Sequence, residues 1–231
     1  MEAPKAPTKV GFMFDGWYTD KALTTKYDFA TPVTKGFTLY AKWAEMDASV
    51  KFTDVSKDAW FYEYVQLMAE KGLMNGISDT EFAPNATLTR GMFVTVLYRV
   101  EGEPAVKDGV DFTDVEAGQY YADAVKWASA NGIVKGISET EFAPDAEVTR
   151  EQMAAMLARY IEYKKVAVPE KDAAGYTDAD KVSDYAKEAV ATANKLGILI
   201  GNADGSFAPL NNATRAEAAA LFARLLGVLA K

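Results

Sequence analysis

The sequence predicts a mainly α-helical chain built from three tandem helix–loop–helix repeats, with a small β segment ahead of them. Three observations carry this. A set of ordered landmarks recurs at a fixed offset. Each copy ends in an apolar stripe of helical period. A strand-type alternation is confined to the first 45 residues.

The β segment comes first. Val10, Phe12 and Phe14 alternate before Asp15-Gly16-Trp17, and Phe37, Leu39, Ala41 and Trp43 alternate with Thr38, Tyr40 and Lys42. This is the pattern of half-buried strands. Gly16 and the Asp20-Lys21 region read as turns. Residues 1–8 read as a linker and 9–45 as a partial β unit. Two or three strands in so short a segment are marginal alone. The segment is therefore expected to pack on the helices, to pair with another chain or to be poorly ordered.

The landmarks follow. Phe52-Thr53-Asp54-Val55 returns as Phe112-Thr113-Asp114-Val115 and as Tyr176-Thr177-Asp178-Ala179. Glu81-Phe82-Ala83-Pro84 returns as Glu141-Phe142-Ala143-Pro144 and Ser206-Phe207-Ala208-Pro209, and Thr89-Arg90 as Thr149-Arg150 and Thr214-Arg215. Copies one and two are offset by 60 residues; copy three is offset by 64 at the Asp and 65 from its first helix onward, so one residue is inserted near Lys181. The repeats span 50–101, 110–165 and 174–230.

Within each copy the first helix is expected to stop at Gly72, Gly132 or Gly197, a natural C-terminal cap. A loop follows with Gly76, Gly136 or Gly201, and Pro84, Pro144 or Pro209 predicts extended backbone just before it. The second helix carries a stripe: Phe93, Val96, Leu97 and Val100; then Met153, Met156, Leu157 and Tyr160; then Ala218, Leu221, Phe222 and Leu225. Thr149 with Gln152, and Thr214 with Glu217, form capping boxes. Thr89-Arg90-Gly91-Met92 lacks the return partner, so its helix start is expected to be weaker by about 1 kcal/mol.

Composition limits the chemistry. The 231 residues are 49% apolar and 25% charged, the balance of a globular protein. There is no Cys and no His. Ser-His-Asp and Cys-His nucleophiles, Cys/His zinc sites, haem-His and iron–sulfur ligation are excluded. A carboxylate glycosidase would need two acids about 5–10 Å apart across a cleft. The repeated Asp, read as the partner of an Arg, is held ionised instead. No catalytic residue, metal site or cofactor is assigned. Asn202-Ala203-Asp204-Gly205-Ser206 resembles part of a calcium loop but lacks the bidentate Glu. The net charge of -8 argues against nucleic acid, and no apolar run reaches the ~18–20 residues of a membrane span. The first residues lack the apolar core of a signal peptide, so an exported protein would carry that signal upstream.

In every copy an Arg occupies the first helical position, the electrostatically unfavourable end. Two uses are open. Arg90, Arg150 and Arg215 beside unpaired helix-start amides would hold a carboxylate or phosphate. Alternatively, each pairs with its own repeat's Asp54, Asp114 or Asp178.

The order F-T-D-V, an aromatic before the first helix, a helix ending in Gly, F-A-P and T-R-[AE]-[EQ] resembles the S-layer homology domain, of which three tandem copies are the usual unit. The resemblance implies a pseudo-threefold, three-pronged bundle and a non-catalytic role. That role is extracellular anchoring in the cell wall or S-layer by binding secondary cell-wall polysaccharide, a pyruvylated amino-sugar polymer of Gram-positive-type surfaces. The alternative role is S-layer self-assembly through lattice self-contacts. The implied glycan-binding residues are Arg90, Arg150 and Arg215; Asp54, Asp114 and Asp178; the aromatics Trp60, Tyr120 and Tyr185; and Gly76, Gly136 and Gly201. Lys135 is added as a second cation, although a solvated surface Lys is the blander reading. Core packing is an equal claim on Trp60. The departures in copy one favour Arg150 and Arg215 as the residues that matter most. The N-terminal segment, with G-F-M-F-D-G-W-Y-T-D and closing T-L-Y-A-K-W, resembles the C-terminal half of a Listeria–Bacteroides (internalin-type B) repeat, a β-grasp-like surface module. Its usual opening strand is missing here.

Overall fold

The apolar stripes fix the architecture. Each second helix is buried along its stripe, and the stripes belong to one continuous core. The computed structural model describes residues 4, 12–31, 33, 35–45 and 52–230. Its elements are β1 (Phe12–Tyr18), β2 (Tyr40–Glu45), α1 (Tyr62–Glu70), α2 (Arg90–Val100), α3 (Ala122–Ala130), α4 (Arg150–Tyr163), α5 (Lys187–Lys195) and α6 (Arg215–Leu229). The linker at 1–8 and Val10 lie outside the described residues, apart from Pro4.

β1 and β2 pair antiparallel, with Phe14 opposite Trp43 and Tyr18 opposite Tyr40. Gly16 is not a turn. It lies inside β1 at an irregularity between Phe14 and Gly16, at φ +132°, where a Cβ would run into the Lys26 side chain. A bulge of this kind bends the strand and re-aims its side chains. The expected turn at Asp20 is present: its carboxylate accepts the amides of Thr24 and Thr25. The second strand begins at Tyr40, so Phe37 and Leu39 precede it, and Phe37 is exposed.

In the helical region the Gly stops hold. Gly72, Gly132 and Gly197 sit at φ +67°, +68° and +72°, one residue beyond each helix's C-cap. The inserted residue of copy three is absorbed by short 3-10 turns at Ala179–Lys181 and Asp184–Ala186. One expectation fails at the prolines. Ala83, Ala143 and Ala208 are not extended; they lie at φ +56°, +58° and +54°. That left-handed backbone is strained by roughly 1–2 kcal/mol for a non-glycine residue. It is held there because successive amides of the Phe-Ala pair both donate to one Asp carboxylate.

The repeats do not stack as an open array. Each first helix packs on the second helix of the preceding repeat: α3 on α2, α5 on α4, and α1 on α6. The third contact joins the last repeat to the first and closes a ring. The stripes fill its interior, with the Phe93 and Phe222 rings 5.1 Å apart. At the centre three backbone bonds form a cycle. Leu88 N–H donates to Ala213 C=O at 2.8 Å, Ala213 to Val148 at 2.9 Å, and Val148 to Leu88 at 2.9 Å. Three equivalent polar side chains surround that cycle: the Glu147 carboxylate accepts from Thr87 and from Asn212.

Candidate functional site

Each repeated landmark holds a neighbouring one in place, and the pairing decides between the two uses of the Arg. The motif Asp braces its own repeat's loop. Asp54 accepts Phe82 N–H at 2.9 Å and Ala83 N–H at 2.6 Å, Asp114 accepts Phe142 and Ala143 at 2.8 and 2.6 Å, and Asp178 accepts Phe207 and Ala208 at 2.7 and 2.8 Å. The Arg comes from a different repeat. Arg90 Nε donates to Phe142 C=O, Arg150 Nε to Phe207 C=O, and Arg215 Nε to Phe82 C=O. Each guanidinium also lies over the ring of that same Phe, 4.5–5.1 Å from its centre. Asp and Arg thus clamp one Phe from opposite sides without pairing, which corrects the expectation that each Arg pairs with its own repeat's Asp.

The helix-start amides are not free either. Arg90 and Gly91 N–H donate to Ala146 and Pro144 C=O; Arg150 and Glu151 to Asn211 and Pro209; Arg215 and Ala216 to Ala86 and Pro84. The next amide goes to the Thr cap in every copy, and the two capping boxes form as expected. The helix ends are consumed in joining repeats, so any anion must be met by side chains. Gly91 is a packing residue. A Cβ there would stand 3.0 Å from both Pro144 C=O and the Tyr121 ring.

What remains open is a groove. A cavity of about 210 Å³ is lined by Arg215 from repeat three, by Met74, Asn75, Gly76, Ile77 and α2 residues including Met92, Val96 and Arg99 from repeat one, and by Tyr120 from repeat two. Arg215 Nη2 donates to Asn75 C=O at 2.7 Å. Burial lowers the Arg215 pKa, yet a guanidinium stays charged near neutral pH. Burial raises the Tyr120 hydroxyl. The cavity meets a second one of about 380 Å³ at Thr95, Arg99 and Tyr120, bordered by Glu103 and Asp123. Arg90 Nη2 donates to Lys135 C=O at 2.9 Å, and Arg159 lies near enough to act on the charge of both Arg90 and Tyr185. Arg150 Nη1 donates to Glu217 on α6, and Arg224, also on α6, stacks on Tyr64 beside Trp60.

Trp60, Tyr120 and Tyr185 are 61%, 56% and 58% exposed, so core packing is not their role. The Lys135 side chain is exposed, and its carbonyl is what the neighbouring Arg uses. The loop glycines have an internal reason. A Cβ at Gly76 or Gly136 would lie 2.3 Å from the Ser78 or Ser138 carbonyl and against the Phe52 or Phe112 ring, while Gly201 meets Ser206 and Tyr176. Arg99 also lines the cavity. It recurs as Arg159 and Arg224 at the same 60- and 65-residue offsets as the other landmarks, a signal the sequence carries.

The Asp178 brace has a pH signature. Backbone donation from Phe207 is the main cause holding the Asp178 carboxyl below its usual range. A folded pKa below the unfolded one contributes stability above the unfolded value of about 4, lost as pH falls through the folded value. Urea midpoints are therefore expected to fall below pH 4. Asp178→Asn is expected to be less stable at pH 7 and to show a smaller acid loss, because an Asn amide cannot accept both N–H groups.

Among the described residues no group of three or more acidic, His or Cys side chains could hold a metal ion, and no helix is long and apolar enough to cross a membrane. Residues 51–91, 111–154 and 175–219 match the S-layer homology domain, and residues 1–42 match the Listeria-Bacteroides repeat domain. The chain is 34% identical over 198 residues to an amylopullulanase of Thermoanaerobacterium thermosulfurigenes, covering 84% of this chain and 10% of that protein. It is 36% identical over 177 residues to an endoglucanase of Bacillus sp. (strain KSM-635), covering 76% and 18%. It is 34% identical over 156 residues to the surface-layer 125 kDa protein of Lysinibacillus sphaericus, covering 63% and 13%. The chain thus spans less than a fifth of each relative, and the common ground is the repeat unit itself. With three matched repeats closed into one ring, the chain belongs to the S-layer homology domain family.

Proposed function

We propose that this cell-surface anchoring unit works by binding an anionic cell-wall polysaccharide, a pyruvylated amino-sugar polymer, in the grooves between its repeats. The observation that carries the reading is the groove in which Arg215, Gly76 and Tyr120 meet from three different repeats. A ketal carboxylate suits a half-enclosed guanidinium, whose fork of N–H donors matches a carboxylate. The exposed Tyr120 ring suits the apolar face of a sugar. Recognition then rests on local cations, and the net charge of -8 does not prevent it. The enzymatic names of two relatives belong to proteins this chain covers by 10% and 18%, so they are not carried over.

Co-sedimentation with purified Gram-positive walls tests the reading. Binding is expected to intact walls and to be lost once the secondary polymer is stripped from them. Equal binding to both refutes it. Affinity is expected to fall only modestly with added salt, because a few partly enclosed pairs are screened less than a basic surface.

A further inference from the structure

An Asn-Gly pair is chemically labile, because no Cβ on the glycine hinders its amide from attacking the Asn side chain. The chain holds two, Asn75-Gly76 and Asn131-Gly132, and the fold treats them differently. Asn131 is tied down. It is the C-cap of α3, its Nδ2 donates to Trp127 C=O at 2.8 Å, and Gly132 N–H donates to Ser129 C=O at 3.1 Å. Asn75 lies outside any helix or strand, is exposed and borders the open cavity. Among the described residues, neither its side-chain amide nor the Gly76 N–H has a hydrogen-bond partner. Its backbone carbonyl has one: Arg215 Nη2 donates to it at 2.7 Å. That carbonyl belongs to the same peptide group as the Gly76 nitrogen. The guanidinium therefore stabilises the anion formed when that nitrogen loses its proton. Gly76 is fixed by its surroundings, since a Cβ there would stand 2.3 Å from Ser78 C=O. The Asn side chain is not: Lys135 and Ile200 occupy the equivalent positions, and Arg90 takes the Lys135 carbonyl in the same way.

We propose that Asn75-Gly76 is a spontaneous modification site, a deamidation point whose product loosens the contact that closes the ring. The Gly76 nitrogen gives its proton to hydroxide and bonds to the carbonyl carbon of the Asn75 side chain. The bond from that carbon to the side-chain nitrogen breaks, and the nitrogen leaves as ammonia with a proton taken from water. Water then opens the resulting succinimide at either carbonyl, giving an aspartyl or an isoaspartyl link. The net change is one water taken up and one ammonia lost. The isoaspartyl link adds a backbone atom between residues 75 and 76. Gly76 has no room for it, because the Ser78 and Glu81 carbonyls and the Phe52 ring crowd that position. Just beyond, the Ile77 and Ser78 amides are both held on Glu81 C=O. The same link turns the carbonyl held by Arg215 into a carboxylate off the main chain. The guanidinium of repeat three then grips a side branch of repeat one and no longer the loop backbone itself.

The test is incubation of the whole folded chain in mildly alkaline buffer, with deamidation at each Asn followed by peptide mass spectrometry. A parallel sample is kept unfolded in guanidinium chloride. In the folded chain Asn75 is expected to convert at least about tenfold faster than Asn131, where two hydrogen bonds must first break. In the unfolded chain the two are expected to convert at similar rates. Modified molecules carry one more negative charge and separate by ion exchange; their urea midpoint is expected to lie below that of the unmodified ones. Asn75→Lys, with its helicity checked by circular dichroism, is expected to keep its midpoint through the same incubation. No conversion at Asn75 in the folded chain, or conversion no faster than at Asn131, overturns the site. An unchanged midpoint in the modified molecules, or an equal fall in Asn75→Lys, overturns its effect on ring closure.

Discussion

Replacing Arg150 by Ala is expected to cost about 3–5 kcal/mol of stability, the range for breaking an enclosed ion pair from one side. The side chain is 7% exposed and joins two repeats by three means: Nε on Phe207 C=O at 2.7 Å, stacking on the Phe207 ring, and the Glu217 pair. Truncation strands the Glu217 carboxylate, which is only 25% exposed. It also opens a cavity beside Phe207. Arg90→Ala removes an equivalent span, but leaves two carbonyls short of donors and no stranded charge, so about 1–3 kcal/mol is expected. Urea denaturation of the two variants gives the comparison. A double-mutant cycle isolates the charge: adding Glu217→Gln to Arg150→Ala is expected to recover part of the loss, with a coupling of about 0.5–3 kcal/mol. Strict additivity would mean that Arg150 acts by packing alone.

Legibility in the sequence followed the range of the interaction. Helix stops at Gly72, Gly132 and Gly197 and caps at Thr149 and Thr214 depend on residues three or four apart, and they stand as read. The destination of each Arg does not. Arg90 meets Phe142 and Arg215 meets Phe82, partners set by ring closure, which no spacing within a repeat encodes. The unpaired helix-start amides failed for the same reason: their acceptors belong to the next repeat. At Ala83 a sound local rule lost to a local competitor. The proline favours extended backbone, but the Asp54 carboxylate fixes the Phe82 and Ala83 amides and pulls the residue into the left-handed region. Core packing and a binding role have equal claims on Trp60 in the sequence, and its 61% exposure removes the first. A cation late in a helix needs no special explanation, so its helix position alone does not mark Arg99. Only the groove gives Arg99 a second meaning.

Ring closure has a consequence that separates this fold from a linear repeat array. In an array, each repeat contacts only its neighbours, and removing a terminal one costs a single interface. Here, removal of repeat three, leaving residues 52–173, takes away two of the three helix pairings, α5 on α4 and α1 on α6. It takes two of the three central backbone bonds, since both Leu88 and Val148 pair with Ala213. It also takes the Arg215 clamp on Phe82 and the Phe207 target of Arg150. Phe93 loses the Phe222 ring, and α1 loses the surface on which it buries Val65 and Met68. Each large apolar side chain returned to water costs about 1.5–3 kcal/mol, and a domain of this size has about 5–15 kcal/mol in total. The shortened chain is therefore expected to lose its cooperative unfolding transition and its near-ultraviolet dichroism, keeping at most residual helix. The full ring is expected to unfold in one step for all three repeats. Adding residues 174–231 as a separate peptide is expected to restore a cooperative transition, because the closing contacts are non-covalent. A stable, cooperatively folded 52–173 fragment would mean that the repeats fold as neighbours in a line and that the contact of α1 with α6 is incidental.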